Sequence, residues 1–359
     1  MDKNLNLYVY SRPGFMIGVV EKYVSLIWTI RYDEAGEFEL ETIYTPELRA
    51  LLIEDNLVST DLKNRFAIIQ SIEIEKDDDG NATMIVKGKT IEIIMDRRLI
   101  LKILRFGDEN IGQTANIQQS MKKIIDDNII DPTDPNRKIS DFVFVSSRDY
   151  AVTSLEFAET FHQISVYEAI SNTCKDNHIG FKLLLNNNGE FYFSLFKGRD
   201  LSGKVLFSPY YDNINNTKFS TDSEAHKNTL ITTNESGDTL VITNEESMPY
   251  GLDRKEVFEN LGELKDNSKE VLTDQEIEKK AIKKLNLEYK KKTGFDGEII
   301  TDVFYKYEED YDVGDRVWIE DEYGNTEAVY ISEIVITCDE NGLTIIPTFK
   351  EIDWNWEEE

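Results

Sequence analysis

Alternating apolar and polar positions recur in two stretches of the chain that lie about 260 residues apart. Each stretch predicts, in the same order, a short strand, a long strand, an acidic turn with a glycine and a returning strand. A chance likeness of two hairpins is the alternative, because any hairpin alternates around an Asp/Gly turn. The shared order of four segments favours a duplicated β-module. The segments are 55–60, 65–74, 77–80 and 84–88 in the first stretch, and 315–319, 327–336, 339–342 and 343–347 in the second.

The pattern of the whole chain changes at two places. Residues 1–105 alternate with a period of two and predict a first β-domain. Residues 106–212 mix helical periodicity with a hairpin around an Asn/Gly turn, which predicts a smaller α+β domain. Residues 213–352 return to strands and predict a second β-domain, and 353–359 form an acidic tail. The predicted fold class is mainly β, with an α+β insert between two related β-domains.

Helix signals interrupt these strands. Thr45 and Pro46 are a capping residue and a first-turn residue. Thr273 and Glu276 have the spacing of a capping box. We therefore predict helices at 45–53, 88–98, 114–127 and 167–177, and one that opens at Thr273.

The composition indicates several packed domains with an acidic surface. The chain has 359 residues, of which 40% are hydrophobic, and this exceeds the usual size of one core. Its 69 acidic and 40 basic residues give a net charge of −29. Such a surface repels the phosphates of nucleic acids and of anionic lipids, so we predict no specific nucleic-acid binding. The charge serves either plain solubility, which composition alone favours, or a wall past which a polyanion slides without sticking.

No targeting or redox feature stands out. The longest apolar runs, such as 99–101, are too short to cross a bilayer, and the N-terminus lacks an apolar signal core. We therefore expect no membrane segment and no secretion signal. Cys174 and Cys338 lie far apart in the sequence and predict two core thiols instead of a disulfide framework.

The sequence contains no complete motif for catalysis, metal binding or cofactor binding. His162, His178 and His226 have no spacing that suits one metal. The segment 75–86 resembles a calcium loop but has Val86 where the closing Glu belongs. Gly88-Lys-Thr90 resembles the end of a phosphate loop whose first glycine is missing. We predict no enzyme, no metal and no cofactor.

Several motifs, taken in chain order, resemble a known family. They are Tyr23–Tyr32 followed by Gly36–Leu40, then 88–100, 196–200 with 205–208, and 311–317. With these motifs the chain resembles the tail hub proteins, baseplate hub or tail-tip hub, of long-tailed phages and phage-tail-like particles. The resemblance covers nearly the whole length.

This resemblance implies an architecture and an assembly. It implies that the two β-domains are tube-type β-barrels and that the chain is a homotrimer. Three chains with two related domains would offer six positions, which match a sixfold tail tube. A trimer would carry three times −29, or −87. Part of that charge would line a lumen through which DNA or the tape-measure protein passes.

The resemblance also implies partners and a location. The partners are the tail tube protein, distal tail or baseplate proteins, and a tip, spike or tape-measure protein. The location is the virion tail, at its tip or baseplate, after synthesis in the host cytoplasm. Some relatives continue into a peptidoglycan-cutting or fibre domain. Since this chain ends at Glu359, we expect such activities in another subunit.

Five residues are predicted as structural motif positions. Trp28, Arg31 and Gly36 belong to the first β-domain, and Gly314 and Asp315 open the matching strand of the second. For Trp28, ordinary core packing is the alternative.

A different class of function stays open beside the hub. The 18 Phe, 17 Tyr and 4 Trp residues, with many Asn/Asp turns, are also typical of a β-rich receptor- or carbohydrate-binding tail module. That function requires an exposed aromatic platform. A tail-associated hydrolase rests only on the abundance of carboxylates.

Overall fold

The computed structural model describes residues 5–11, 14–61, 65–77, 79–107, 115–186, 188–234, 236–261, 273–299 and 304–352. These residues divide into two compact units. Unit 1 contains the described residues of Met1–Asn216 and Gly297–Lys350, and unit 2 contains those of Thr217–Asp296 and Glu351–Trp356. The domain boundaries near 105, 212 and 352 stay a prediction.

The strands and helices are named here in chain order. The strands are β1 (Leu7–Tyr10), β2 (Met16–Val20), β3 (Ser25–Arg31), β4 (Glu37–Ile43), β5 (Leu57–Ser59), β6 (Phe66–Lys76), β7 (Ala82–Thr90), β8 (Leu104–Arg105), β9 (Ala115–Asn116), β10 (Phe142–Phe144), β11 (Glu156–Phe157), β12 (Thr160–Phe161), β13 (Gly180–Leu185), β14 (Phe191–Phe196), β15 (Leu206–Phe207), β16 (Ile214–Asp222), β17 (Thr229–Thr233), β18 (Thr239–Thr243), β19 (Glu256–Phe258), β20 (Lys292–Ile299), β21 (Arg316–Glu320), β22 (Thr326–Asp339) and β23 (Gly342–Glu351). The α-helices are α1 (Pro46–Leu51), α2 (Ile117–Ile125), α3 (Tyr150–Thr153), α4 (Val166–Asp176) and α5 (Asp274–Leu287).

One large sheet dominates unit 1 and contains both repeated stretches. Its strand order is β15-β21-β22-β3-β4-β7-β6-β5-β1-β2, and β23 also pairs with β22. The first stretch forms β5, β6 and β7, and the second forms β21, β22 and β23. The predicted order of short, long and returning strands is confirmed in both stretches. Antiparallel pairing of β22 with β3, from Glu333↔Arg31 to Cys338↔Leu26, joins the two stretches.

Alternation decides which face of this sheet is buried. Phe38 and Leu40 of β4 point into the core, whereas Glu37, Glu39 and Glu41 point to the other face. The same period buries alternate residues of β3 and β7 on the core side. Each large apolar side chain removed from water stabilises the fold by about 1.5–3 kcal/mol.

The mainly β class is confirmed, but the two closed barrels are not what the described strands form. These strands make an open sheet. Strand β3 pairs with β22 of the second stretch, so it does not close a barrel with the strands of the first β-domain.

The segment predicted as a helix at 88–98 is only partly helical. Strand β7 continues to Thr90, and a 3₁₀ helix follows over Ile91–Arg97. Gly88 stays in the sheet, paired with Phe38 and Ile69 on its two sides. A side chain at this position would stand 1.9 Å from the carbonyl oxygen of Ile68, so only glycine permits so close an approach.

The middle of the chain contains the predicted helices and hairpin. Helix α2 buries Ile117, Met121, Ile124 and Ile125 on one face, as its apolar spacing predicts. Helix α4 begins at the capping residue Ser165. Strands β13 and β14 form the predicted hairpin, and β10 pairs with β14 in parallel.

Unit 2 packs one helix on a small sheet of β18, β17 and β19. Its core contains Leu230 and Ile242 from the sheet and Ile277, Ala281 and Leu285 from α5. The predicted capping box is present, since Thr273 N donates to Glu276 Oε2 at 2.7 Å and Glu276 N donates to Thr273 Oγ1 at 3.3 Å.

The small core of unit 2 makes it sensitive to cavities. We expect Leu285→Ala to lower the free energy of unfolding of unit 2 by about 2–5 kcal/mol, because Leu285 is fully buried. Hydrogen exchange of the amides of β17 measures this change. The exposed Glu278→Ala in the same helix is the control and should change it by less than about 0.5 kcal/mol. Equal exchange in the two variants would contradict the packing described.

Candidate functional site: the junction of the two repeats

The ring of Tyr32 lies where β3 ends, in a space that glycines leave open. Its side chain is buried. A Cβ on Gly180 would stand 2.4 Å from Tyr32 Cε2, and one on Gly314 would stand 2.3 Å from the same atom. Tyr32 OH donates to the carbonyl oxygen of His178 at 3.2 Å and accepts from Gly198 N at 3.2 Å. Tyr32 thus contacts the middle of the chain and the start of the second repeat together.

Gly314 is required for two separate reasons. Its φ of +92° lies in the region that side-chain-bearing residues rarely adopt. It also faces the Tyr32 ring, and its carbonyl oxygen would stand 1.7 Å from a Cβ on Gly198. The two glycines therefore allow two backbone segments to pass each other at close range.

Asp315 holds this crossing with its carboxylate. The residue is buried and accepts hydrogen bonds from Arg199 N at 2.7 Å, from Arg199 Nη2 at 2.6 Å and from Asp312 N at 2.9 Å. The hydrogen bonds to Asp315 raise the pKa of the Arg199 guanidinium. A buried carboxylate with this number of donors positions the backbone on both sides of it.

Arg31 links the repeats on the opposite face of the sheet. Its Nε donates to Glu333 Oε2 at 2.6 Å across the β3–β22 pair, and its Nη1 donates to Glu37 Oε1 at 3.1 Å. Burial would lower the pKa of Arg31, but the hydrogen bonds to Glu333 and Glu37 outweigh it and raise that pKa.

Gly36 and Trp28 have packing positions. Gly36 N donates to Thr90 Oγ1 at 2.8 Å, and a Cβ there would stand 1.9 Å from the carbonyl oxygen of Thr29. Trp28 is fully buried with its ring 5.7 Å from that of Phe38, which agrees with the core-packing alternative. The roles of the five motif residues beyond these contacts stay a prediction.

The two repeats share hydrogen bonds as well as strand order. Asp55 and Gly314, each with a positive φ, donate through their amides to the carbonyl oxygens of Ile69 and Ile331. In return, Ile69 N donates to Asn56 O, as Ile331 N donates to Asp315 O. Asp55 is therefore equivalent to Gly314, which lies one residue before the predicted start of the second stretch at Asp315. Side-chain identity concealed this offset, because backbone pairing defines equivalence.

The sequence patterns did not single out several residues of the junction. Tyr32, Gly198 and Arg199 lie inside quoted motifs, but no local period assigns them a role. Their hydrogen-bond partners lie 116 to 166 positions away in the chain, and no local pattern records such pairs.

The hydrogen bonds of Tyr32, Asp315 and Arg31 join segments of the chain. Among the described ranges, no group of three or more His, Cys, Asp or Glu side chains is arranged to hold a metal ion. A groove of about 260 Å³ lies on the charged face of the large sheet, beside Glu37, Glu39 and Lys87. A small cavity of about 10 Å³ beside Glu92 and Arg65 has room for about one water molecule. No helix in the described part of the chain is both long and apolar enough to cross a bilayer.

A protein-family model matches nearly the whole chain. The model of the family described as Siphovirus ReqiPepy6 Gp37-like protein matches residues 6–349. No curated protein sequence matches the chain significantly.

Three solved structures with a similar fold are tail proteins. The 43 kDa tail protein of prophage MuSo2 from Shewanella oneidensis has a TM-score of 0.61 at 13% identity, with 98% of each chain covered. A tail protein from Neisseria meningitidis MC58 has a TM-score of 0.59 at 13% identity, with 97% of each chain covered. Prophage tail protein gp18 from Listeria monocytogenes EGD-e has a TM-score of 0.56 at 13% identity, covering 98% of this chain and 95% of its own. At this identity the likeness is one of fold.

The glycine crossing can be tested by adding one methyl group. We expect Gly314→Ala to lower the free energy of unfolding of unit 1 by at least about 2 kcal/mol, since it combines an unfavourable φ with a clash against Tyr32. Urea unfolding followed by tryptophan fluorescence measures it. Gly203→Ala is the control, because a Cβ there meets nothing within 4 Å. A loss of stability no larger than that of the control would refute the crossing.

The carboxylate of Asp315 makes a second test. Asp315→Asn replaces one accepting oxygen by a donor and leaves buried donors unpaired, so we expect a loss of about 1–3 kcal/mol in the free energy of unfolding. The exposed Asp96→Asn serves as the control with the same chemical change. The same urea titration compares the two, and an unchanged midpoint for Asp315→Asn would contradict its role.

Proposed function

The chain belongs to the Siphovirus ReqiPepy6 Gp37-like protein family, and on this premise we propose that it is the structural hub of a phage tail. Membership in this family and the fold shared with prophage tail proteins make it a structural tail component of the virion. The finer role is a trimeric ring that caps the tail tube and links it to the tip or baseplate.

The duplicated module is the observation that carries this proposal. The equivalent hydrogen bonds at Ile69 and Ile331 belong to two copies of one β-module within a single sheet. A closed ring of three chains would present six such modules. A tail tube with sixfold symmetry is a partner that six similar positions fit.

The charged face of the sheet suits the wall of a lumen. Glu37, Glu39 and Glu41 line it, and Lys87 pairs with Glu39 at 2.9 Å. With a chain charge of −29, acidic residues outnumber the basic ones that would bind a phosphate. At physiological salt the repulsion acts over about 8 Å, so it keeps DNA from adsorbing to the wall. We assign no catalytic residue and no cofactor to this function.

The partners follow from this role. They are the tail tube protein on one side of the ring and distal tail or baseplate proteins on the other, with a tip, spike or tape-measure protein at the lumen.

One observation favours the receptor- or carbohydrate-binding alternative. Exposed aromatic rings gather around Tyr210, Tyr211 and Phe304, with the Tyr211 and Phe304 rings 6.1 Å apart. Tyr210 OH reaches the carbonyl oxygen of Glu322, next to the exposed Tyr323. A module of this kind would bind glycans, whereas a hub binds tail proteins.

The mass of the assembled protein tests the hub. We expect native mass spectrometry and sedimentation to give a trimer of three times 41.5 kDa, about 125 kDa, because each chain supplies two of six ring positions. The trimer should also bind rings of purified tail tube protein. A monomer over the whole micromolar range that binds no tube protein would contradict the proposal.

A further inference from the structure

Strand β6 is paired along both edges in only its first half. Its residues from Phe66 to Ile68 pair with β5 on one side, and the backbone bonds of Ile69 with Asp55 and Asn56 extend that side by one residue. Strand β7 pairs with the other edge as far as Lys76. Within the described residues, the segment Gln70–Lys76 therefore has a neighbour on the β7 edge and none on the β5 edge.

The equivalent strand of the second repeat is covered where β6 is open. Strand β22 pairs with β21 over Thr326–Tyr330, and β3 then continues along the same edge over Glu333–Cys338. The change from β21 to β3 occurs at Ser332, whose carbonyl oxygen accepts from Tyr32 N at 3.0 Å. Ile69 is equivalent to Ile331, so the place that β3 takes on β22 corresponds to the open segment Gln70–Lys76.

Side-chain burial follows the same division. In β22, Ile334 and Ile336 point to the core side and are 0% and 1% exposed, beside their partners Ile30 and Trp28 of β3. In β6, Ile74 points to the core side with the buried Met84 beside it, yet it is 48% exposed. Within the described residues, no strand lies beside Ile74 on the β5 edge, where β3 lies beside Ile336 of β22.

An open, partly apolar strand edge is a site for pairing with another chain. The chain's own β3 cannot fill it, because its two edges are already paired with β22 and β4. The charged residues Glu73 and Glu75 lie on the face of the sheet opposite the core. Their side chains therefore do not cover the β5 edge of Gln70–Lys76.

We infer that Gln70–Lys76 receives a strand from a second copy of this chain, in the position that β3 occupies on β22. This inference rests on the proposed trimeric hub and names its interface between copies. The strand of the second copy is β16, since the β16–β20 pair precedes β21–β23 as the β3–β4 pair precedes β5–β7. In the described structure, β16 has β20 as its one sheet neighbour. Each copy would donate one strand and accept one. A head-to-tail interface of this kind can close into a ring, whereas a twofold symmetric interface gives a dimer.

Hydrogen exchange of the full-length, unmodified protein gives the first measurement. The amides of 70–76 and of 214–222 should exchange at least tenfold more slowly at a concentration where the trimer forms than after dilution to monomer. Unchanged exchange of 70–76 in the trimer would overturn the inference and leave the hub standing. Slowing at 70–76 alone would overturn the assignment of β16. A protein that stays monomeric would overturn both the hub and its interface.

A charged residue on the open edge gives the second measurement. We expect Ile74→Lys to weaken association of the copies at least tenfold in sedimentation, with an unchanged circular dichroism spectrum. The control is Ile53→Lys, which replaces an isoleucine of similar exposure, 42%, in the segment after α1. It should associate like the unmodified protein. Equal association of the two variants would overturn the inference.

Discussion

The pairing of β3 with β22 is the interaction on which the rest of the structure depends. It brings together residues such as Arg31 and Glu333, which are 302 positions apart in the chain. Closing so long a loop costs conformational entropy, and a continuous antiparallel ladder with a charge-assisted hydrogen bond at its end offsets that cost. Without this pairing the two repeats would be separate hairpin sheets with exposed edges.

The junction around Tyr32 makes this pairing specific. A sheet edge accepts many registers, and a slip by one residue would turn every side chain of β3 to the wrong face. The Tyr32 ring fits only where Gly180 and Gly314 leave room for it, and the Asp315 carboxylate accepts hydrogen bonds from the backbone of Arg199 and Asp312 and from the Arg199 side chain. Steric constraint and a buried carboxylate thus select one register out of several.

Strand pairing along the long strand of each repeat connects the fold with the proposed assembly. Within one chain, β3, which precedes the first repeat, covers part of the long strand of the second. The long strand of the first repeat has no such cover within the described residues, and the proposed strand from a second copy would cover it in the same way. The acidic surface fits this proposal, since a charge of −29 per chain repels polyanions.

The sequence by itself determined the elements whose signals are local. Alternation predicted β5–β7 and β21–β23, the apolar stripe predicted α2, and the spacing of Thr273 and Glu276 predicted the cap of α5. Only the tertiary structure decided the β3–β22 partnership, the equivalence of Asp55 with Gly314, the extension of β7 through Gly88 to Thr90, and the junction at Tyr32. Each of these depends on atoms that are distant in the chain and close in space, and no local period records such a distance.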